Sequence, residues 1–388
     1  MTSSPPVHDL AARLIRCPSV TPAEGGALDL LEGELSALGF TCHRLPFGEK
    51  SDRVDNLFAV YGSGDPHFCF AGHTDVVPPG DAQDWRHDPF GGVIEDGRLF
   101  GRGAVDMKGA IAAFVIAARD YIAQNHPQGR ISLLITGDEE GDAIHGTKPV
   151  LDWLAAENLM PDAFLVGEPT NPDAIGDMIK HGRRGSLSCE LTVKGRQGHA
   201  AYPHRADNPL PRLMAMLEPV AHVEIDQGND HFDPSTAAIT SIDTGNPARN
   251  VTPQQAVAKF NIRYSSDHSA DSLKDWLTQH FNSVGGDWSA EWFASADPFV
   301  TAPGQFTDIM TRAIAEATGR IPALSTSGGT SDARFIAAFA DVVEFGLIGQ
   351  TMHQTDEHTS TKDLDLLTEV YGHMLQRYFA DHHAAIEG

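Results

Sequence analysis

Short apolar runs rich in Val, Ile, Leu and Phe recur through the first half of the chain. They are residues 56–62 (NLFAVYG), 67–73 (HFCFAGH), 131–139 (ISLLITGDE) and 163–168 (AFLVGE). Each is too short for a helix and runs into a glycine, which predicts strands buried on both faces. Between them, residues 106–125 (DMKGAIAAFVIAARDYIAQN) and 146–159 (GTKPVLDWLAAENL) read as helices. Strands alternating with helices predict an α/β domain with a mixed, largely parallel sheet. Near residue 185 the period changes. Residues 186–195, 237–245 and 255–264 alternate apolar with polar positions, as half-buried strands do, and helical patterns at 208–220 and 269–281 separate them. With 288–294 as a last strand, the order is strand–helix–strand–strand–helix–strand, which predicts a two-layer α+β unit. Residues 305–319, 341–349 and 364–382 then return to the first style. The second unit therefore reads as an insertion. Residues 1–183 and 298–388 form a discontinuous catalytic domain, and 184–297 an inserted one.

The length of 388 residues agrees with two domains rather than one core. Lys and Arg number 28 and Asp and Glu 53, so the formal charge is 28 − 53 = −25. An envelope that negative repels nucleic-acid phosphates and anionic lipid, and a small-molecule substrate is expected instead. If that substrate is an anion, a local cluster of Arg has to hold it. The N-terminal segment lacks a basic stretch followed by an apolar core, and no window approaches the ~20 apolar residues of a membrane span. Cys17, Cys42, Cys69 and Cys189 are scattered, which fits reduced thiols in the cytoplasm and argues against a cysteine-held metal.

The chemistry gathers at the ends of the predicted strands. His73 and Asp75, in GHTDVVPPG, lie two apart and project to one face. Asp75 can orient His73 with its carboxylate or through the backbone. Asp106, in GRGAVDMKG, stands just before a long helix, where Asp is also a common cap. Asp138, Glu139 and Glu140 follow directly on one buried strand, and Glu168 on another. Carboxylates crowded together repel unless a cation or proton lies between them. After a later apolar strand, MHQTDEH offers His353 and His358. Each of these residues alone has an ordinary structural explanation. Together they form a mixed oxygen and imidazole set suited to zinc or a similar divalent ion, with more ligands than one tetrahedral ion requires. Two ions sharing one carboxylate use such a set economically.

In GHTDVVPPG, GRGAVDMKG, TGDEEG, VGEPT and the late histidine, the chain resembles the M20 metallopeptidase family over essentially its whole length. The segments IKHGRRGSLSCELTVKGRQGHAAYPH, GNPARNVTPQ and TSGGTSDARFIA resemble the branch of that family acting on N-succinyl amino acids. The resemblance implies two Zn²⁺ per subunit, with Co²⁺ able to substitute. His73 and Glu168 would serve one ion, Glu140 and His353 the other, and Asp106 both. His353 rather than His358 matches the family position. Asp75 would orient His73, and a cis peptide would follow Asp106. Glu139 would be the general acid/base and His199 the donor to the developing oxyanion.

The same resemblance places Arg183, Arg263, Asn250, Tyr202, Ser186, Gly329 and Thr330 against the substrate, with the arginines pairing its carboxylates. Arg184 is left open. It also implies a homodimer formed through the inserted domain, with His199 entering the neighbouring subunit's site on closure. Deacetylation of an N-acetyl amino acid, a carboxypeptidase or a general aminoacylase would keep the same ligands and change only the specificity segments. A non-catalytic metal-binding relative would lack the base, yet Glu139 is present.

Overall fold

A computed structural model describes residues 5–49, 52–125 and 127–387. Residues 1–4, part of the N-terminal segment read above, lie outside the described residues. Along the chain the strands used below are β1 (Thr41–Arg44), β2 (Leu57–Ser63), β3 (His67–His73), β4 (Gly129–Thr136), β5 (Ala163–Val166), β6 (Met178–Lys180), β7 (Gly185–Lys194), β8 (Thr236–Asp243), β9 (Gln255–Tyr264), β10 (Asp287–Ala296), β11 (Ala323–Ser325) and β12 (Asp341–Glu344). The helices are α1 (Pro6–Ile15), α2 (Ala27–Ala37), α3 (Lys108–Asn125), α4 (Thr147–Ala156), α5 (Leu210–His222), α6 (Ala270–Val284), α7 (Gln305–Thr318), α8 (Ala333–Ile336) and α9 (Thr361–Glu387).

The chain separates into two compact units. One comprises Met1–His181, Thr301–Ser325 and Ser331–Gly388, and the other Gly182–Val300 and Thr326–Thr330. The sequence boundaries at 183/184 and 297/298 lie within three residues of these. The short segment Thr326–Thr330, assigned to the catalytic domain from sequence, groups with the insertion instead. Hydrogen bonds account for this: Thr326 Oγ1 donates to the carbonyl of His231, and Arg183 Nη1 donates to that of Gly329.

The first unit is built on an eight-stranded sheet in the order β1-β2-β4-β3-β5-β12-β6-β11. Its inner pairs β4·β3, β3·β5 and β5·β12 are parallel, as is β6·β11, whereas β1·β2, β2·β4 and β12·β6 are antiparallel. Alternate residues serve opposite faces. Phe68, Phe70, Ile131, Leu133 and Ile135 join a core with Phe114 of α3 and Tyr371 of α9. On the other face Phe58 meets Trp153 of α4 edge-on. The helix α3 is buried along most of its length, because α1 and α9 cover what the sheet leaves.

The second unit is a four-stranded antiparallel sheet, β8-β9-β7-β10, with α5 and α6 packed on it. Leu187, Leu191, Phe260 and Ile262 face Leu213, Leu217, Leu277 and Phe281 in its core. The other sheet face is more open, with Phe293 57% exposed on the edge strand β10; on the opposite edge strand, β8, Ile242 is 56% exposed. Among the described residues no helix is long and apolar enough to cross a membrane.

Candidate metal centre

Parallel pairing of β4, β3 and β5 brings their carboxyl ends to one edge of the sheet, where open α/β sheets gather ligands. His73 ends β3, Glu139 and Glu140 follow β4, and Glu168 follows β5. Asp106 enters from the turn before α3, and His353 from the loop after β12. The peptide Asp106–Met107 is cis.

The two oxygens of Asp106 face two different imidazoles. Oδ1 lies 3.1 Å from His73 Nε2 and Oδ2 3.3 Å from His353 Nε2. A second carboxylate flanks each ring: Glu168 Oε1 is 3.4 Å from His73 Nε2, and Glu140 Oε1 is 2.9 Å from His353 Nε2. Ligand atoms of His73, Asp106 and Glu140 lie within 4.8 Å of one another, as do those of His73, Glu139 and Glu168. Of the two late histidines only His353 reaches this cluster. His358 makes a tilted ring contact with Phe100 and bonds through Nδ1 to the carbonyl of Asp356.

The electrostatics describe a site short of positive charge. Burial and the neighbouring Asp106 push Glu168 up to about 7. Burial and Glu168 raise Glu139 well above the usual carboxylate range. Burial also raises Asp332, up to about 6, and its charge in turn raises Glu139. Burial disfavours a charged His73, yet Asp106 and Glu168 outweigh it and hold the ring's pKa high. Hydrogen bonds to Asp106 and Glu140 push His353 up to about 10. Glu168 Oε1 is buried without a hydrogen-bond partner. A buried carboxylate oxygen without a hydrogen-bond partner beside the His73 imidazole, and a carboxylate presenting one oxygen to each ring, fit a pair of divalent cations.

Asp75 settles the choice left open by the sequence. The Nδ1 of His73 meets the backbone carbonyl of Asp75 at 2.9 Å, while the Asp75 carboxylate stands 3.6 Å off. That buried carboxylate instead accepts from the backbone N–H of Glu139 (3.3 Å) and Glu140 (3.0 Å) and from the Thr21 hydroxyl (2.7 Å). It therefore anchors the acidic turn, and the orientation of His73 comes from the main chain. Thr21 lies in a polar loop with no motif to mark it, and sequence reasoning passed over it.

The residues proposed for substrate lie in the second unit, in two groups. Arg184 Nη1 donates to Thr236 Oγ1, and Ser186 pairs in register with Arg263. Burial, then the neighbouring Arg184, depresses Arg263, and its Nη1 is buried without a hydrogen-bond partner. Arg183 and the 329–330 loop belong to this end. His199 and Tyr202, 5.5 Å apart in an edge-on contact, lie beyond the far end of β7. Asn250 joins them, its carbonyl accepting from Ala200 N at 2.8 Å.

An open α/β sheet whose strand ends carry two imidazoles around a shared carboxylate is the architecture of a co-catalytic metallohydrolase. Residues 69–377 match Peptidase family M20/M25/M40, and the chain belongs to that family. It is 57% identical over 373 residues to a protein of Rhodospirillum centenum named succinyl-diaminopimelate desuccinylase, covering 96% of this chain and 97% of that one. A Maricaulis maris protein of the same name is 52% identical over 376 residues, covering 96% and 95%. Among solved structures, an M20 family metallo-carboxypeptidase from Sulfolobus solfataricus superposes with a TM-score of 0.77 at 18% identity, covering 97% of this chain and all of that one. A dinuclear metal-binding M20 peptidase from Bacillus subtilis gives a TM-score of 0.71 at 14% identity, covering 95% and 96%. At these identities the two structures speak for the fold alone.

Proposed function

We propose that the chain hydrolyses N-succinyl-L,L-2,6-diaminopimelate to succinate and L,L-2,6-diaminopimelate, in diaminopimelate and lysine biosynthesis, using two divalent ions, zinc or cobalt. The observation that carries the chemistry is Asp106, with one oxygen toward His73 and the other toward His353. The names of relatives more than half identical over nearly the whole chain support the substrate. His73, Asp106 and Glu168 would hold one ion, and Asp106, Glu140 and His353 the other. Bound there, the ions supply Lewis-acid polarisation of the amide carbonyl and a lowered pKa for the attacking water. Glu139 takes the proton from that water and returns it to the leaving amine.

The substrate carries several carboxylates. Arg263, with a buried N–H unpaired beside a second guanidinium, is suited to a carboxylate, and Arg184 would share that role. Arg183, Ser186, Gly329 and Thr330 complete this group. His199, Tyr202 and Asn250 form the other. The two groups sit at opposite ends of the ten-residue strand β7, roughly 25–30 Å apart at strand rise. No single diamino acid spans that distance. This supports a homodimer in which His199, Tyr202 and Asn250 act on the substrate bound by the partner subunit. The edge strands β8 and β10, with Ile242 and Phe293 exposed, offer surfaces for that dimer. The reading is tested by following succinate release from N-succinyl-diaminopimelate by the metal-loaded protein. No release with two ions bound per chain would remove it.

A further inference from the structure

Glu357 is buried, yet it is neither a proposed metal ligand nor part of the proposed chemistry. Its Oε1 accepts from three backbone N–H groups of one turn: Gly103 (3.1 Å), Val105 (2.9 Å) and Asp106 (3.2 Å). Gly103 adopts a φ of +87°, the left-handed conformation that helps this turn aim its amides at one oxygen. The other oxygen, Oε2, accepts from Arg102 Nη1 at 2.7 Å, and that guanidinium is 3% exposed. Arg102 then reaches the loop of the second imidazole. Its Nη1 donates to the carbonyl of Gln354 at 3.2 Å, and its Nη2 lies 3.5 Å from that of His353.

The 353–357 loop needs such support. His353 and Asp356 both take left-handed backbone conformations, at φ of +61° and +58°, which are strained for residues with a Cβ. A buried ion pair that bonds to both loops at once fixes their separation. On one loop is the carboxylate facing both imidazoles, and on the other is the more exposed of those imidazoles. From this arrangement we infer that Arg102 and Glu357 are positioning residues that set the distance between Asp106 and His353, and with it the ion position shared by Asp106, Glu140 and His353. The inference rests on the two-ion reading above.

The experiment is a Zn²⁺ titration of the metal-free full-length protein against a chromophoric chelator, for the natural chain, Glu357→Gln and Arg102→Lys. Glu357→Gln keeps the shape and one acceptor oxygen but loses the charge that pairs Arg102. The natural chain should take up two ions in resolved steps. Glu357→Gln should keep one step within a few-fold and weaken the other by roughly 10–100-fold, the usual range for groups that orient metal ligands. Co²⁺ loading should show the matching loss of one site's visible absorption. Arg102→Lys, which keeps the charge without the fork, should fall between the two proteins. It also carries the test if Glu357→Gln does not fold.

Two unchanged steps accompanied by a lower melting temperature of the metal-free variant would make the pair merely structural and overturn the inference. Equal weakening of both steps would overturn it as well, because the pair would then support Asp106 alone. A natural chain that saturates at one ion would instead defeat the two-ion reading itself.

Discussion

Replacing Asp75 by Asn separates two roles that a carboxylate near a metal centre can play. In the structure Oδ1 accepts from Glu139 N, and Oδ2 accepts from Glu140 N and the Thr21 hydroxyl. Asn keeps one of these oxygens and turns an NH₂ toward the other donors. The Thr21 hydroxyl can reverse and accept, but one backbone N–H of the acidic turn loses its partner. An unpaired buried donor costs about 1–3 kcal/mol. If the turn relaxes by that amount away from its catalytic position, kcat falls roughly 5–150-fold at 1.36 kcal/mol per decade. The contact to His73 Nδ1 comes from the main-chain carbonyl of residue 75, which the substitution leaves in place. Steady-state kinetics with the succinylated substrate, together with metal analysis, provide the assay. The expected result is a lowered kcat, a KM within a few-fold, and retention of the ion held with His73 and Glu168. A kcat within twofold of the natural chain would refute the anchoring role. So would selective loss of the His73 ion, since it would show that the carboxylate serves the imidazole after all.

Glu139→Gln should fold and bind both ions while turnover falls by at least ~10²–10⁴-fold, the range of general acid–base catalysis; activity within a few-fold, measured with bound metal quantified, would place the base elsewhere. In the metal-free protein the raised pKa of His353, up to about 10, stabilises the folded chain below the ordinary histidine value near 6.5. That contribution fades as pH rises toward 10, because the imidazolium paired with Asp106 and Glu140 is then lost. Zinc uptake at pH 8 must therefore expel that proton. Calorimetry in two buffers of different ionisation enthalpy should show about one proton fewer released by His353→Ala; heats independent of buffer would contradict this. Mixing Glu139→Ala and His199→Ala chains should restore activity once subunits exchange, because one site of each mixed dimer is then complete. A mixture that stays inactive with exchange confirmed would place His199 in its own chain's site.

The ends of the apolar strands were legible in the sequence because parallel pairing forces successive carboxyl ends onto one edge. His73, Glu139, Glu140 and Glu168 could be gathered on that ground alone, and the two units followed from the change of hydrophobic period near residue 185. Spacing could not say which atom of Asp75 orients His73, since the carbonyl and the carboxylate belong to one residue. Nor did it separate Glu357 from its acidic neighbour Asp356: their roles differ only because Glu357 is buried against a turn some 250 residues earlier in the chain. His353 and His358 both follow an apolar strand, and only the backbone conformation of the loop decides which imidazole faces Asp106. Segment 326–330 carries no periodic pattern, so its grouping with the insertion emerged from its hydrogen bonds to His231 and Arg183.

The central claim is that this metal centre removes a succinyl group from a carboxylate-rich diamino acid. The most direct measurement compares kcat/KM for N-succinyl-L,L-2,6-diaminopimelate and N-acetylornithine with the zinc-loaded protein, repeated with Arg263→Lys. The account predicts a strong preference for the succinylated substrate in the natural chain, and a larger loss for that substrate than for the acetylated one in the variant. Equal or better turnover of N-acetylornithine by the natural chain would contradict it.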